Sequence, residues 1–345
     1  MGESRMRVVD AISHSDWYNG LMAKKPSLNS PPIPPAKKEL LVLIDGHALV
    51  YRAYHAFPPL TTPDGELVNA VYGFSRILLK VIKDIQPKYI AVTFDMGKPT
   101  FRHTAFAGYK AQRKETPTEL ISQLGRVREV VESLNIPVFG IEGFEADDVI
   151  GTIAKQICEK VKVIIVTGDK DAFQLVNDNK VTVYTPARQN EDAKEYTEHD
   201  VEEKMGIPPS LIVDYKALSG DPSDNIPGVQ GVGPKTSISL LQAFGSLQGI
   251  YEALKHSDTL TPEQKTLLKE KLVQRLADGH ESAIMSQKLA TIDTEVPLNF
   301  KLDDCSVSGY DKAKITALFT KLGFKSLINS LPSDEFEQEV QEMLF

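Results

Sequence analysis

Five short apolar runs, separated by helical stretches, occupy residues 39–196 of this 345-residue chain. Apolar runs of this length that alternate with amphipathic helices indicate parallel β-strands buried on both faces. The runs are LLVLID from Leu40, YIAVTFD from Tyr89, IPVFG from Ile136, VKVIIVTGD from Val161 and KVTVYTP from Lys180. The alternation therefore predicts an α/β fold, with a mostly parallel sheet and helices on both faces.

The rest of the chain divides by composition. Beyond about Thr197 the strand-like runs stop, and helical segments joined by Gly- and Pro-rich loops continue to about Ser330. The leader contains KKPSLNSPPIPPAKK, whose Pro, Ser and Lys content is typical of a disordered linker. We therefore expect a disordered leader (1–38), an α/β core (39–196), a helical domain (197–330) and an acidic tail (331–345).

The composition favours a cytoplasmic protein. No apolar run approaches the length of a membrane span, and the N-terminus lacks the apolar region of a signal peptide. The two cysteines form no spacing motif, which favours a reducing environment. We expect no membrane partner and no organellar targeting, and we expect a monomer.

Acidic residues follow the predicted strands. Asp45 ends the first run, Asp95 ends the second, and Asp169 and Asp171 follow the fourth. Because the carboxyl ends of the strands in an open α/β sheet line one crevice, we expect these acids to converge there. A single Asp at such a position is most often a turn residue or a helix N-cap, so the argument depends on the repetition.

Two further motifs add acids to this crevice. GFEADDVIGTIAKQ follows the run IPVFG and opens a helix, so Glu145, Asp147 and Asp148 should face the same edge. The simpler interpretation is that these acids are stabilised by the positive end of the helix dipole. The later loop SGDPSDNIPG contributes Asp221 and Asp224.

Seven acids in one crevice, to which the later loop offers two more, would be strongly destabilising if they were left unpaired. Their motifs contain almost no Lys or Arg, and Lys170, between two acids, is expected to point elsewhere. Divalent cations are therefore the expected partners, and carboxylates favour Mg²⁺ or Mn²⁺ over Zn²⁺. Two such ions about 4 Å apart suit in-line displacement at phosphorus. The candidate ligands are Asp45, Asp95, Glu145, Asp147, Asp148, Asp169, Asp171, Asp221 and Asp224.

The formal net charge of −8 argues weakly against a nucleic-acid partner. However, removing the nine negative charges of these acids from −8 leaves +1, so the remaining surface is close to neutral. The acidic balance therefore does not exclude a nucleic-acid substrate.

A basic segment without acids runs from Met96 to Lys114 and directly follows Asp95. Basic groups neutralise phosphates and aromatic rings stack on bases, so this segment predicts a nucleic-acid contact, although a solvated cationic loop is the alternative. Its bases are Lys98, Arg102, Lys110, Arg113 and Lys114, and its aromatic residues are Phe101, His103, Phe106 and Tyr109.

The segment NIPGVQGVGPKTSISLLQAFGS nearly matches a Walker A loop. Pro234 stands where that loop requires Lys, and no predicted strand precedes it, so we do not expect ATP binding. We expect a tight glycine-rich hairpin that opens a helix, with backbone N–H groups and Lys235 available to a DNA phosphate. A plain turn between two helices is the alternative.

Taken together, the motifs resemble the 5′-nuclease domain at the N-terminus of bacterial DNA polymerase I, which belongs to the flap endonuclease superfamily. The resemblance covers residues 41–330 in the family order and includes LIDGHALVYRAYHA, FDMGKPTFRHTAFAGYKAQR, GFEADDVIGTIA, VTGDKDAFQLV and LSGDPSDNIPGVQGVGPKTSISLL. It implies a PIN-like core with an arch and a helical DNA-binding domain that contains a helix–three-turn–helix.

The resemblance also assigns roles to residues. All nine acids match the metal ligands of the family, and Lys110 and Arg113 match the residues that engage the scissile phosphate. It implies two or more Mg²⁺ or Mn²⁺ ions, and a glycine-rich turn that binds duplex DNA and in the family often holds K⁺. The implied DNA contacts are Arg102, Phe106, Tyr109, Gly228, Gly231, Gly233, Lys235 and Thr236.

The implied function is a structure-selective, metal-dependent 5′ nuclease that acts in primer removal, replication and repair. Its expected partners are DNA with a 5′ flap or a 5′ end, RNA primer–DNA hybrids and a DNA polymerase in cis or in trans. Phe106 departs from the family, which commonly has Tyr there, and no polymerase region follows, so the chain is either a stand-alone nuclease or one domain of a polymerase. Alternatives are a binding module without catalysis and a small-molecule phosphatase.

Overall fold

The computed structural model of the protein describes residues 39–178, 180–187, 191–256, 258, 260–307 and 309–333. The predicted disordered leader, residues 1–38, lies outside the described residues, as do residues 334–345 of the predicted acidic tail.

A six-stranded sheet lies at the centre of the described chain, in the spatial order β3-β2-β1-β4-β5-β6. Its strands are β1 (Leu40–Asp45), β2 (Tyr89–Thr93), β3 (Val138–Phe139), β4 (Lys162–Val166), β5 (Val181–Thr185) and β6 (Lys194–Tyr196). Neighbouring strands are parallel except for β5 and β6, which are antiparallel. The predicted mostly parallel sheet is confirmed, and β6 is an addition that its polar three-residue sequence did not indicate.

Helices cover both faces of the sheet, as predicted. Alternate strand residues point to opposite faces, so Leu41 and Leu43 enter one core while Val42 and Ile44 enter the other. The helices of this half are α1 (Gly46–Ala56), α2 (Asn69–Ile85), α3 (Phe101–Ala105), α4 (Thr118–Ser133) and α5 (Ala146–Ile157), with a 3₁₀ turn at Asp171–Leu175. Helices α1, α2 and α4 pack into the Val42 core, and α5 packs into the Leu41 core. Helix α1 was not identified from the sequence.

The helical half shares the Leu41 core. Its Val201, Ile207 and Leu240 belong to the same apolar cluster as Leu41 and Leu43. Its helices are α6 (Glu198–Met205), α7 (Ile212–Ser219), α8 (Pro234–Phe244), α9 (Leu247–Lys255), α10 (Pro262–Leu267), α11 (Glu270–Asp278) and α12 (His280–Ala290), with a 3₁₀ turn at Pro209–Leu211. None of the helices in the described ranges is long and apolar enough to cross a membrane.

Residues 302–331 return to the α/β half. They contain a 3₁₀ turn (Leu302–Cys305) and the helices α13 (Lys312–Lys321) and α14 (Lys325–Ile328). The Val307 N–H donates to the carbonyl of Lys88 at 3.1 Å, next to β2. Phe319 and Phe324 are fully buried in the Val42 core, so this segment completes the second face of the sheet.

Replacing Phe319 by Ala should therefore destabilise the whole α/β half, although the residue lies far along the chain. We expect a loss of about 3–5 kcal/mol in the free energy of unfolding, because the change leaves a cavity in a core. Urea unfolding measures it, with the exposed Lys314→Ala on the same helix as the control. Equal midpoints for the two variants would contradict this packing.

Candidate active site

The carboxyl edge of the sheet holds the first group of predicted acids. Asp45 is the last residue of β1 and the N-cap of α1, and its Oδ1 accepts the Ala48 N–H at 3.0 Å. Its Oδ2 accepts the hydroxyl of Thr167, just beyond β4, at 2.8 Å. These bonds fix one carboxylate between two parallel strands and direct it at the edge where the loops meet.

Helix α5 brings the second group to the same edge. Its first turn begins after Glu145, and the Ala146 N–H donates to Asp95 Oδ1 at 2.7 Å, just beyond β2. His47 accepts the backbone N–H of Asp95 at 3.0 Å. The α5 N-terminus is thereby attached to the end of β2, as the predicted convergence requires.

Burial, and then the charges of neighbouring carboxylates, raise the pKa values of three of these acids. Burial, opposed by two hydrogen bonds, raises the pKa of Asp45 to about 6, and burial raises that of Asp171 to about 7. Burial and then the charges of Asp45, Asp169, Asp171 and Glu145 hold the pKa of Asp147 well above its usual range. Burial is the largest cause of each shift and the charges of neighbouring carboxylates add to it, whereas Lys216 opposes the shift of Asp171.

Two basic residues of the segment 96–114, which we call the arch, neutralise Glu145 and Asp224. Lys110 Nζ lies 2.8 Å from Glu145 Oε2, and Arg113 Nη2 lies 2.5 Å from Asp224 Oδ1. The Tyr109 hydroxyl is 3.1 Å from a carboxylate oxygen of each of these acids. The predicted catalytic pair therefore lies beside the predicted metal ligands.

Lys216 is a third cation of the site, and the sequence reasoning missed it. It lies on α7, is only 10% exposed, and its Nζ contacts Asp171 and lies 2.6 Å from Asp221 Oδ2. Its charge opposes the effect of burial and lowers the pKa of Asp221. The available signal was its place five residues before Asp221, at the end of a helix that leads into an acidic loop.

The acids thus form two sets with different partners. In the described chain no Lys or Arg pairs with Asp45, Asp95, Asp147 or Asp169. Lys110 pairs with Glu145, Arg113 pairs with Asp224, and Lys216 pairs with Asp171 and Asp221, while Asp148 pairs with Arg102. Within that same part of the chain, no three His, Cys, Asp or Glu side chains already stand in a ligand arrangement. The unpaired set is crowded and all-oxygen, which fits the donors that Mg²⁺ and Mn²⁺ prefer.

Asp148 and Arg102 form an internal pair that the sequence did not predict. They form a buried bidentate pair, 0% and 3% exposed, with Arg102 Nη1 and Nη2 at 2.8 and 2.7 Å from the two carboxylate oxygens. Asp148 also accepts the N–H groups of Glu145 and Asp293, at 2.9 and 2.8 Å. The pair is buried and bonded internally in this structure, and the roles of Asp148 as a metal ligand and of Arg102 as a DNA contact stay predictions.

The pair also fastens the chain that follows α12. Arg102 Nε donates to the carbonyl of Leu289 at 2.9 Å, and its Nη2 donates to that of Thr291 at 2.7 Å. Gln174 donates to the Ala290 carbonyl and accepts the Ile292 N–H, at 3.1 and 2.9 Å. Arg102 and Asp148 therefore join the arch, α5 and the helical half, and hold Glu145 and Asp147 in place.

The aromatic residues of the arch are less available than predicted. Tyr109 is 3% exposed and is not open to stacking on a base in this structure, and its DNA contact stays a prediction. Phe106 is partly buried and packs against the small cluster formed by Tyr109, Ile226 and Leu289. Sequence composition identified the aromatic content of this segment but not the direction of the rings.

Gly228 also has a packing role. Its N–H donates to Ser286 Oγ at 3.0 Å, and its carbonyl accepts from Ser282 Oγ at 2.6 Å. A Cβ at this position would lie 2.2 Å from the backbone nitrogen of Gly220. Its backbone groups are bonded inside the protein in this structure, and its phosphate contact stays a prediction.

The rest of the glycine-rich turn is open to solvent. Gly231 is exposed with a φ of +78°, a conformation that favours glycine. Gly233 is the N-cap of α8, Lys235 is exposed in the first turn, and Thr236 is partly exposed. These residues keep the geometry predicted for a phosphate contact at a helix N-terminus.

Two family models match consecutive parts of the chain. Residues 40–206 match the model described as 5′-3′ exonuclease, N-terminal resolvase-like domain. Residues 207–313 match the model described as 5′-3′ exonuclease, C-terminal SAM fold.

Curated relatives are DNA polymerases I. The chain is 40% identical to that of Bacillus caldotenax over 311 residues, which is 89% of this chain and 34% of the relative. It is 43% identical to that of Chloroflexus aurantiacus over 302 residues, which is 85% of this chain and 31% of the relative. The chain therefore spans about a third of the length of these relatives.

Solved structures share the fold. T5 5′-exonuclease with divalent metal ions (zinc) bound is similar with a TM-score of 0.59 and 23% identity, covering 83% of this chain and 99% of that chain. The catalytic core of Rad2 in complex with DNA substrate is similar with a TM-score of 0.53 and 17% identity, covering 86% and 92%.

Stability without metal should fall with rising pH. The folded-state pKa values of Asp45 and Asp171, about 6 and about 7, exceed their usual value of 3.8. The stabilisation from their protonated forms is present at low pH and lost as the pH rises through this range. We expect the rise in Tm that Mg²⁺ gives over EDTA to be small at about pH 5 and largest above about pH 7.5. Thermal unfolding across this range measures it, and a shift independent of pH would contradict it.

Replacing Arg102 by Met should strand the buried Asp148 carboxylate. We expect a loss of about 3–5 kcal/mol in the free energy of unfolding, measured in urea. The control is Lys80→Met, which breaks an exposed 2.8 Å ion pair with Asp84 and should cost at most about 0.5 kcal/mol. Adding Asp148→Leu to Arg102→Met should recover part of the loss, since no buried charge then remains. If Arg102→Met cost no more stability than the control, the pair would not hold the arch, α5 and the helical half together.

Proposed function

Because the chain belongs to the 5′-3′ exonuclease family, we propose that it is a metal-dependent nuclease that hydrolyses DNA phosphodiesters at 5′ ends and 5′ flaps. The observation that carries the proposal is the crowded set of unpaired acids at the sheet edge, beside two bases of the arch. Such a cluster would repel an anionic phosphate unless cations bind there as well.

We infer that the unpaired acids hold the first ion. Asp45, Asp95, Asp147 and Asp169 would ligate it, and Mg²⁺ or Mn²⁺, when bound, supplies Lewis-acid chemistry for in-line displacement at phosphorus. A second ion would use the acids that now pair with Lys110, Arg113 and Lys216. K⁺ at the glycine-rich turn remains a prediction of the resemblance.

Lys110 and Arg113 would stabilise the scissile phosphate. Their side chains are 20% and 49% exposed, so both can be reached from solvent while they contact the acids. A phosphate drawn to the site offers each base a new anionic partner, and the charge that develops in the transition state strengthens that pairing. In this role they leave Glu145 and Asp224 free for cations.

The helical half would hold the duplex. Gly231, Gly233 and Lys235 present open N–H groups and a cation at the start of α8, which suits a backbone phosphate. Contacts of this kind read the shape of the duplex and not its sequence. We propose a core with an arch at residues 39–196 and a DNA-binding region within residues 197–330.

The substrates and partners follow from this arrangement. We propose DNA with a 5′ flap or a 5′ end and RNA primer–DNA hybrids as substrates, in primer removal, replication and repair. The relatives are DNA polymerases I, so a polymerase in cis or in trans is the proposed protein partner. A cytoplasmic location and a monomeric state remain predictions.

Cleavage of a 5′-labelled flap in Mg²⁺, compared with EDTA and with a 5′-blocked flap, tests the proposal. Asp147→Asn should lower kcat by about a hundredfold to a thousandfold, because it removes a charge that would hold the ion. The control is Asp303→Asn, an exposed acid outside the acid cluster, which should cleave like the wild type.

Two outcomes would redirect the assignment. Tight flap binding without cleavage in Mg²⁺ or Mn²⁺ would identify a binding module. Faster hydrolysis of a small phosphomonoester than of the flap would identify a phosphatase.

A further inference from the structure

The loop that carries Asp221 and Asp224 is closed on itself. The N–H groups of Asp221 and Ile226 each donate to the other residue's carbonyl at 2.9 Å. The Asp221 carboxylate accepts the N–H and the hydroxyl of Ser223, at 2.8 and 2.6 Å. A loop held from both ends in this way is a rigid support for anything bound to it.

Residues 108–110 of the arch are bound to this loop through their backbone. The Lys110 N–H donates to the carbonyl of Asp224 at 2.9 Å. Asn225 Nδ2 donates to the carbonyl of Gly108 at 2.7 Å. The two bonds flank Tyr109, so the backbone of residues 108–110 is held on both sides of a buried ring.

Two residues of this contact have left-handed backbones. Lys110 has a φ of +55° and Asn225 has a φ of +57°, among four non-glycine residues with positive φ in the described chain. Asn adopts this conformation readily, whereas Lys rarely does, so the conformation of Lys110 is imposed by its surroundings. A Cβ at Gly108 would lie 2.7 Å from the Phe106 ring and 3.3 Å from Asn225 Nδ2, so the contact also needs a glycine there.

The backbone conformation of Lys110 decides where its ammonium group lies. With φ at +55°, Nζ lies 2.8 Å from Glu145 and 3.8 Å from Asp224. If the backbone relaxed to an ordinary conformation, the side chain would leave Cα in another direction and the ammonium would leave the site. Tyr109 is locked separately by its own hydroxyl contacts, so the constraint on Lys110 comes from its neighbours in the loop.

We propose that Asn225 is a positioning residue. It holds residues 108–110 of the arch in place and thereby directs Lys110 at the reacting phosphate. It touches neither the acids nor the substrate, and it acts through the Gly108 carbonyl and the backbone of Lys110. The inference rests on the proposed function for the role of Lys110, but the contact itself does not.

Asn225→Gly tests this with little other change, since glycine keeps the left-handed backbone and loses only the amide. Asn135 offers a matched control: its φ is +52°, and its Nδ2 donates to the carbonyl of Gly309. Asn135→Gly therefore removes the same kind of bond and adds the same chain flexibility, at a position after α4 and away from the arch.

Asn225→Gly should lower the single-turnover rate of flap cleavage by about tenfold to a hundredfold, because a displaced catalytic group costs rate. Flap affinity in Ca²⁺ should change by less than about threefold, since duplex contacts lie elsewhere. Hydrogen exchange at the Lys110 amide should accelerate, because its acceptor loop is released. Asn135→Gly should change none of the three.

A double-mutant cycle identifies the path of the effect. If Asn225 acts through Lys110, Asn225→Gly should cause no further loss of rate in a Lys110→Met background. Additive losses, or wild-type cleavage and exchange in Asn225→Gly, would overturn the proposal. If the glycine variant fails to fold, Asn225→Asp keeps the size but cannot donate to Gly108; because it also adds a charge beside Asp224, the readout in that variant is hydrogen exchange at the Lys110 amide.

Failure of the proposed function gives a different result. If the wild type cleaves no flap in Mg²⁺, the nuclease assignment is wrong, and faster exchange at the Lys110 amide in Asn225→Gly alone decides the positioning contact.

Discussion

Repulsion among carboxylates at one edge of the sheet is the constraint on which the rest of the structure depends. The parallel strands place Asp45 there, and α5 adds Asp147, both with raised pKa values. Three kinds of base limit the repulsion: Arg102 inside the protein, Lys216 on the helical half, and the arch bases at the surface. The helical half and the arch are thus bound to the core by the same charges that build the site.

The fold was predicted largely because its signals are local. The length and spacing of the apolar runs identified β1, β2, β4 and β5, and the position of an Asp after a parallel strand is fixed by topology. Helix α2 was also predicted, because its signal is local in the sequence as well. Helix α1 was missed because it follows β1 without a loop, so Asp45 serves as strand end, helix cap and site residue together.

Side-chain direction could not be read in the same way. Asp147 and Asp148 are adjacent, yet one faces the other acids and one is buried against Arg102, because successive residues of a helix point about 100° apart. The buried Tyr109 contacts Asp224, 115 positions away, and Lys216 pairs with Asp171, 45 positions away on another element. The spacing of the motifs predicted which residues belong to the site, but it did not predict which residues they pair with.

The return of residues 302–331 to the sheet has a consequence for how the protein is made. Phe319 and Phe324 lie in a core that joins residues 42–166 to residues 310–327, so that core stays open until the ribosome has released a chain well past both aromatic residues. Contacts over such sequence distances slow folding, and an open apolar face exposes nascent chains to association. This core is thus completed only after residues 310–327 have been made, although its strands are made first.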